Sequence, residues 1–427
     1  MKKIINILTE FIQARWLRGW STRNQLENYQ NRRIREHIKY IKRKSPYFME
    51  NELTSEFSMD KKFMMENFDA LNTVGVKRED AFQLAIEGER TRNFDKKYKG
   101  MSVGLSSGTS GHRGIFITTE EEQGTWAGMI LAKMLPKGKL FGNRIAFFLR
   151  SDNNLYKSIN SFFIKLKYFD LFKDMEGHIE ELNKYNPTIL VAPASALLTL
   201  ANKKREGILK IVPKKIISVA EVLEEDDGKW IKDAFQVEFV HQIYQATEGL
   251  LGYTCHYGSL HLNEEWIKFD REYIDDNRFY PIITDFRRRS QPFIRYRMND
   301  ILVKGKKTCK CGSPFTCIEK IEGREDDIFL FKDKNERIRQ VFPDFIRRCL
   351  LFSEEIREYQ VFQTDYNNIQ VAVLNLNENQ EREIRREFSS LFKELEIDNV
   401  NIKFISYLPE KNIKLRRICQ KMKKSTK

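Results

Sequence analysis

Three apolar runs alternate with amphipathic segments in the middle of the chain, and that alternation restricts it to few folds. Arg144–Leu149, Asn186–Ala192 and Lys215–Ala220 are short and continuously rich in Ile, Val, Leu, Ala and Phe. A strand that is apolar at successive positions is covered on both faces, the mark of a parallel sheet. Helical patterns at Ser195–Lys204 and Leu223–Phe235 separate the second run from the third and follow it, as crossover connections require. A further helical pattern, Glu120–Leu135, precedes the first run. The expected class is therefore α/β with a parallel-sheet core. Ligands of such sheets sit beyond the carboxyl ends of the strands. That rule selects Ala220-Glu221 and Tyr244-Gln245-Ala246-Thr247-Glu248.

Upstream lies Ser106-Ser107-Gly108-Thr109-Ser110-Gly111-His112-Arg113-Gly114. Its glycines let the backbone turn successive N–H groups toward one centre, and its hydroxyls add donors, so the stretch reads as an anion cradle. The spacing is neither the Walker pattern, which closes on Gly-Lys-Ser/Thr, nor the dinucleotide G-x-G-x-x-G. In Tyr244–Glu248, a ring can stack on a base, Thr247 can meet a phosphate and Glu248 can hold Mg²⁺, which takes oxygen ligands and bridges phosphates. The same five residues also suit a plain strand-end turn. Further on, Ile294-Arg295-Tyr296-Arg297-Met298-Asn299-Asp300 sets cationic forks beside a carboxylate. Asp300 can accept from both hydroxyls of a ribose, and Arg295 or Arg297 can meet phosphate. Gly323-Arg324-Glu325-Asp326-Asp327 then breaks the pattern before a fresh apolar run, and Lys414 stands in Asn412-Ile413-Lys414-Leu415-Arg416-Arg417.

Taken in order, these blocks resemble the adenylate-forming superfamily of acyl-CoA ligases, specifically its phenylacetate-CoA ligase and coenzyme F390 synthetase branch with capsule-associated relatives. The resemblance spans roughly residues 30 to 417. It implies a large N-terminal domain, 1–325, and a small mobile α+β C-terminal domain, 326–427, joined at a hinge at Asp326. It assigns Ser106–Gly111 to the pyrophosphate, Tyr244 to the adenine and Thr247 to the α-phosphate. Glu248 falls to Mg²⁺, Asp300 to the ribose, Arg324 to the Gly-Arg pair beyond it, and Lys414 to the mobile lysine. The implied reaction activates an acid with MgATP to an acyl-adenylate, releases pyrophosphate, and passes the acyl group to coenzyme A. Adenylyl transfer to a phenolic hydroxyl is the alternative within the branch. A nucleotide-binding or basic surface-binding protein without turnover is the alternative outside it. Two positions depart from the pattern. His112-Arg113 follow the glycine loop in place of Lys-Pro, and Ile413 replaces a glycine, which leaves Lys411 as the alternative to Lys414.

Six cysteines are unevenly spaced, and Glu10 interrupts the first apolar segment early for a secretory signal. Reduced thiols in a cytoplasmic protein are expected. Cys255-x5-His261 and Cys309-Lys310-Cys311 offer four donors for a structural Zn²⁺, with His256 and Cys317 as stand-ins. The net charge of +14 is concentrated at the ends: residues 1–50 hold 12 Lys/Arg against 4 Asp/Glu, and residues 411–427 hold 8 against none. A nucleic-acid binder would carry its basic stripe across the folded body, so no nucleic-acid partner is expected. No run is long enough to span a bilayer. Ile4, Leu8, Phe11 and Ile12 share one helical face, followed by Trp16 and Trp20. Packing on its own domain is the first reading of that face; peripheral contact with a membrane is the second. A homodimer stays open.

Overall fold

The computed structural model describes residues 2–427 except 92, 107–112, 139, 150–163, 172, 306–307, 352–355, 357, 409–415 and 423–427. The chain divides into two compact units, Met1–Met298 with Leu302–Lys320, and Asn299–Ile301 with Ile321–Lys427.

The first unit is built on a large mixed sheet. Its parallel half runs in the order β4 (Ile164–Asp170), β3 (Asn143–Leu149), β5 (Ile189–Ala192), β6 (Lys215–Val219) and β7 (His241–Ala246). Successive strand residues point to opposite faces, and both faces are covered. Ala146, Phe148, Leu190 and Ile216 meet the crossover helices α5 (Met175–Tyr185), α6 (Ala194–Arg205) and α7 (Glu225–Phe235) through Leu182, Leu197, Leu200, Ile231 and Phe235. Ile145, Ile189, Val191, Ile217 and Val219 meet Leu131 and Met134 of α4 (Glu120–Met134) on the other face. That double cover is why these runs are continuously apolar. Asn186 does not extend its strand but ends α5, at φ +45°, and the strand starts at Ile189. Strand β4, with Lys165 and Lys167, is an edge of the sheet and was not anticipated.

Beyond β7 the sheet turns antiparallel. Strand β8 (Gly249–Thr254) folds back on β7, and β9 (Leu260–Leu262) on β8. Strands β10 (Ile267–Tyr273), β11 (Arg278–Asp285) and β12 (Phe293–Arg297) pair antiparallel in turn, β13 (Asp300–Lys304) pairs with β11, and β14 (Cys317–Arg324) with β9. A separate hairpin, β1 (Ser102–Leu105) with β2 (Ile115–Thr118), frames the glycine–hydroxyl loop.

Helix α1 (Lys2–Ile12) sits on α4 in an unusual orientation. The Glu10 carboxylate is buried and accepts from Arg18 Nη2 (2.5 Å), Arg287 Nη2 (2.8 Å) and Trp266 Nε1 (3.2 Å). Glu265, also buried, meets Arg18 Nη1 and Lys133 Nζ, each at 2.8 Å. Close approach depends on glycine: a Cβ on Gly128 would lie 2.4 Å from the Ile7 carbonyl oxygen, and one on Gly124 2.9 Å from that of Lys3. The helix therefore turns Ile7 and Glu10 inward, while Ile4, Leu8 and Ile12 are exposed and Phe11 is half-buried. The helix does pack on its own domain, but through Ile7, Glu10 and the backbone at the two glycines, with most of the apolar stripe left outside. Overpacking a helix contact costs about 1–3 kcal/mol, so Gly128→Ala is expected to lower the urea midpoint of the first unit and expose α1 to limited proteolysis.

The second unit has a hairpin, β15 (Phe329–Lys332) with β16 (Ile338–Val341), and a four-stranded sheet. The sheet order is β19 (Asn401–Ile405), β18 (Asn368–Val373), β17 (Tyr359–Asp365) and β20 (Ile418–Gln420). Helices α8 (Pro343–Leu351) and α9 (Glu378–Glu394) complete its core of Phe329, Phe331, Ile346, Val361, Val371, Ile384 and Phe388. Buried Gln363 ties hairpin to sheet by bonding both the Leu330 N–H (2.8 Å) and its carbonyl (2.6 Å). This unit is α+β, as the family resemblance implied.

Candidate active site

Thr247 and Glu248 are the two turn residues between β7 and β8, at the carboxyl end of a parallel strand. Gly249 follows at φ +151°. Here a Cβ would lie 3.3 Å from Asp285 Oδ2. Burial pushes the Asp285 carboxyl up to about 6, against the N–H groups of Arg287 and Arg288 that it accepts. The Glu248 carboxylate is held at both oxygens: Tyr296 Oη donates to Oε1 and Thr247 Oγ1 to Oε2, each at 2.9 Å. An oriented, half-exposed carboxylate with a hydroxyl beside it suits a hard cation carried on phosphates.

One buried guanidinium connects this turn to the hairpin of the glycine–hydroxyl loop. Arg288 donates to the Thr247 carbonyl (3.3 Å) and to the Ile117 carbonyl of β2 (2.9 Å). Gln291 holds the Ile117 N–H and the Ile115 carbonyl at 3.1 Å each. Ser290 and the Arg289 N–H are fixed in turn by Glu122, whose side chain also closes the capping box of α4 with Thr119. The base of the loop is shut by Ser106 N–H to the Gly114 carbonyl and Gly114 N–H to Ser106 Oγ, both 2.8 Å. Ser107, Gly108, Thr109, Ser110, Gly111 and His112 lie outside the described residues. Arg113 donates to both Glu89 carboxylate oxygens (2.7 and 2.5 Å) and to the Ser106 carbonyl. Its charge is thus engaged at the loop's base.

At the end of β6, the Glu221 N–H donates to the Val219 carbonyl at 2.8 Å, closing a three-residue turn about Ala220 at φ +65°. A non-glycine residue in that region is strained, and such strain gathers at functional sites. The Glu221 carboxylate caps α6 by accepting the Ser195 N–H at 3.0 Å. Tyr244 is buried in the sheet. Arg295 holds φ +48° and donates to the Phe57 carbonyl, and Arg297 makes a bidentate pair with Glu272. In the second unit, Arg324 Nε lies 3.3 Å from Asp300 Oδ1, and Asn299 Nδ2 donates to Asp326 at 3.1 Å. Arg416 pairs with Asp327, whose carboxyl burial raises in pKa. Lys411, Ile413 and Lys414 lie outside the described residues.

No protein-family model matches the chain. Protein CapK of Staphylococcus aureus is 22% identical over 410 residues, 90% of this chain and 87% of that protein. Among solved structures, 2-hydroxyisobutyryl-CoA ligase in the postadenylation state with R3-HIB-AMP superposes at TM-score 0.69 and 13% identity, covering 93% of this chain and 90% of the ligase. The fold is that of the adenylate-forming ligases. Anthranilate-CoA ligase in complex with anthranoyl-AMP matches at 0.55 and 12%, over 74% of this chain and 66% of its own. The amide bond synthetase of Marinactinospora thermotolerans matches at 0.53 and 11%, over 74% and 67%. At such identities the likeness is one of fold.

On this ligase fold the chain also assembles a cysteine–histidine cluster. Ligand atoms of Cys255, His261, Cys309 and Cys311 all lie within 4.8 Å of one another. Cys255 and Cys309 sulfurs are 3.6 Å apart, and Cys311 Sγ is 3.5 Å from His261 Nε2. Tetrahedral zinc bonds of about 2.3 Å to sulfur and 2.0 Å to nitrogen put ligand atoms about 3.5–3.8 Å apart, and these two pairs fit that spacing. His261 Nδ1 lies 3.2 Å from the Phe315 carbonyl, a partner that would leave Nε2 as the metal-facing atom. The tight turn after Cys309, with Gly312 at φ +71°, lets the Cys311 N–H reach Cys309 Sγ at 3.4 Å. Cys317, paired opposite His261, also lies 3.6 Å from Nε2, whereas His256 turns to Lys137 at 3.1 Å.

Proposed function

We propose that this protein is an adenylate-forming ligase that activates a small carboxylic acid with MgATP. The observation that carries the reading is the coupling, through Arg288, of the Thr247–Glu248 turn to the hairpin of the glycine–hydroxyl loop. The Thr247–Glu248 turn and the β2 strand of the hairpin are thereby held on one frame, and positioning of this kind is what phosphoryl and adenylyl chemistry requires of a protein. A carboxylate oxygen attacks the α-phosphorus as the bond to pyrophosphate breaks. The loop Ser106–Gly111 takes up the leaving pyrophosphate, Thr247 the α-phosphate, and Glu248 the Mg²⁺ that arrives with ATP. Tyr244, Ala220 and Glu221 border the adenine and acyl sites. Asp300 holds the ribose, with Arg324 beside it, and Lys414 meets charge growing on the α-phosphate. The domain after Asp326 then turns to admit coenzyme A, whose thiol displaces AMP. Zn²⁺ on Cys255, His261, Cys309 and Cys311 serves as a structural tie.

ATP–pyrophosphate exchange across a panel of aryl, fatty and hydroxy acids, followed by product analysis with coenzyme A, tests the reading. Exchange dependent on one acid class, with AMP and a thioester as products, is expected. ADP as the nucleotide product would refute it.

A further inference from the structure

Helix α1 is amphipathic the wrong way round for a helix at a protein surface. Its one acid, Glu10, is buried in a three-partner network, while Ile4, Ile5, Leu8 and Ile12 are all exposed, Ile4 by 61%. The π-helical turn that follows, Gln13–Leu17, adds exposed Trp16 and Leu17 to the same end of the molecule. The orientation is not loose. Arg15 donates to the carbonyls of Ala132, Leu135 and Pro136, and Lys133 Nζ to the carbonyl of Ala14, while Gly124 and Gly128 admit the helix backbone. Rolling the apolar side inward would break every one of these bonds and drive side chains into the two glycines. No helix of the described residues is long and apolar enough to cross a membrane, so this face is a surface feature.

Charge indicates what covers it. Residues 1–50 carry 12 Lys/Arg against 4 Asp/Glu. Cations follow the apolar stripe closely in the chain: Trp20, three residues past Leu17, packs on Tyr29 of α2 (Arg23–Ile41), and the exposed Arg32 guanidinium lies over the same ring at 5.9 Å. Lys2 is exposed at the other end of the stripe, and Arg35, Lys39, Lys42, Arg43 and Lys44 are exposed further along and just beyond α2. Two copies meeting here would bring like charges together, whereas an anionic bilayer supplies both an apolar interior and opposite charge.

We infer that α1 and the turn after it dock this protein onto an anionic lipid surface, with Ile4, Ile5, Leu8, Ile12, Trp16 and Leu17 entering the headgroup boundary. The inference is independent of the reaction assigned above. It is tested by co-sedimentation with vesicles of equal parts phosphatidylcholine and phosphatidylglycerol, and with phosphatidylcholine alone. The expected result is sedimentation with the mixed vesicles, weaker with the neutral ones, and about a hundredfold lower partitioning for Ile5→Gln/Leu8→Gln/Ile12→Gln. Unchanged melting and circular dichroism in that variant show that the fold is kept. Absence of binding to the mixed vesicles overturns the inference, as does binding that survives the triple substitution or is equal on both vesicles. A wild type that dimerises, without vesicle binding, while the variant stays monomeric would assign the face to self-association instead.

Discussion

Glu248→Gln is expected to lower acid-dependent ATP–pyrophosphate exchange by about 10²–10³-fold, the usual effect of removing one preorganised charge-stabilising group. The substitution keeps the size of the side chain and an oxygen able to accept from Tyr296 Oη or Thr247 Oγ1, so the turn stays built. What disappears is the negative charge to which the proposed reaction assigns the cation on the phosphates. Tyr296→Phe separates charge from aim, because it leaves the carboxylate but removes one of its two orienting donors. A loss of about tenfold or less is expected there. Stopped-turnover exchange assays with saturating acid read both variants. Full exchange in Glu248→Gln would remove this carboxylate from the chemistry.

Cys309→Ser and Cys311→Ser are each expected to abolish stoichiometric zinc on freshly purified protein. Thermal melting should fall by roughly 5 °C or more, because metal binding at such a site is folding free energy for the loops it ties. Burial opposes ionisation of Cys309, yet hydrogen bonds from Ser259, the Cys311 N–H and His261 bring its thiol down to about 6, the thiolate a metal needs. His256→Ala serves as the control, since that ring turns to Lys137 outside the cluster. Elemental analysis finding equal zinc in Cys309→Ser and wild type would dismiss the site.

How much of this was legible beforehand follows from what local patterns encode. Continuous apolar runs identified Arg144–Leu149 and Lys215–Ala220 as strands covered on both sides, because burial on two faces erases alternation. The edge strand Ile164–Asp170 escaped, since its lysines face water and dilute that signal. The clustering of Cys255, His261, Cys309 and Cys311 was expected from residue type and spacing, but Cys317 could not be ranked against them without the β9 pairing that sets it opposite His261. Arg288, Gln291 and Tyr296, which connect loop, turn and carboxylate, drew no notice in that role. Nothing in the residue types of Arg287-Arg288-Arg289-Ser290-Gln291 marks a buried connection, and only the fold shows Arg288 and Gln291 buried against backbone carbonyls. The apolar side of α1 could be read as packed on the domain or as a membrane face, because periodicity reports that a face exists, not which neighbour claims it. Glycines on α4, more than a hundred residues away, decide that.

The central claim is that a carboxylate oxygen of the substrate becomes bonded to the α-phosphorus of ATP. Its most direct test labels both carboxylate oxygens of an exchange-competent acid with ¹⁸O and follows the label through a complete turnover with coenzyme A. The account predicts AMP carrying one ¹⁸O and unlabelled pyrophosphate. Unlabelled AMP, or label appearing in inorganic phosphate beside ADP, would contradict it.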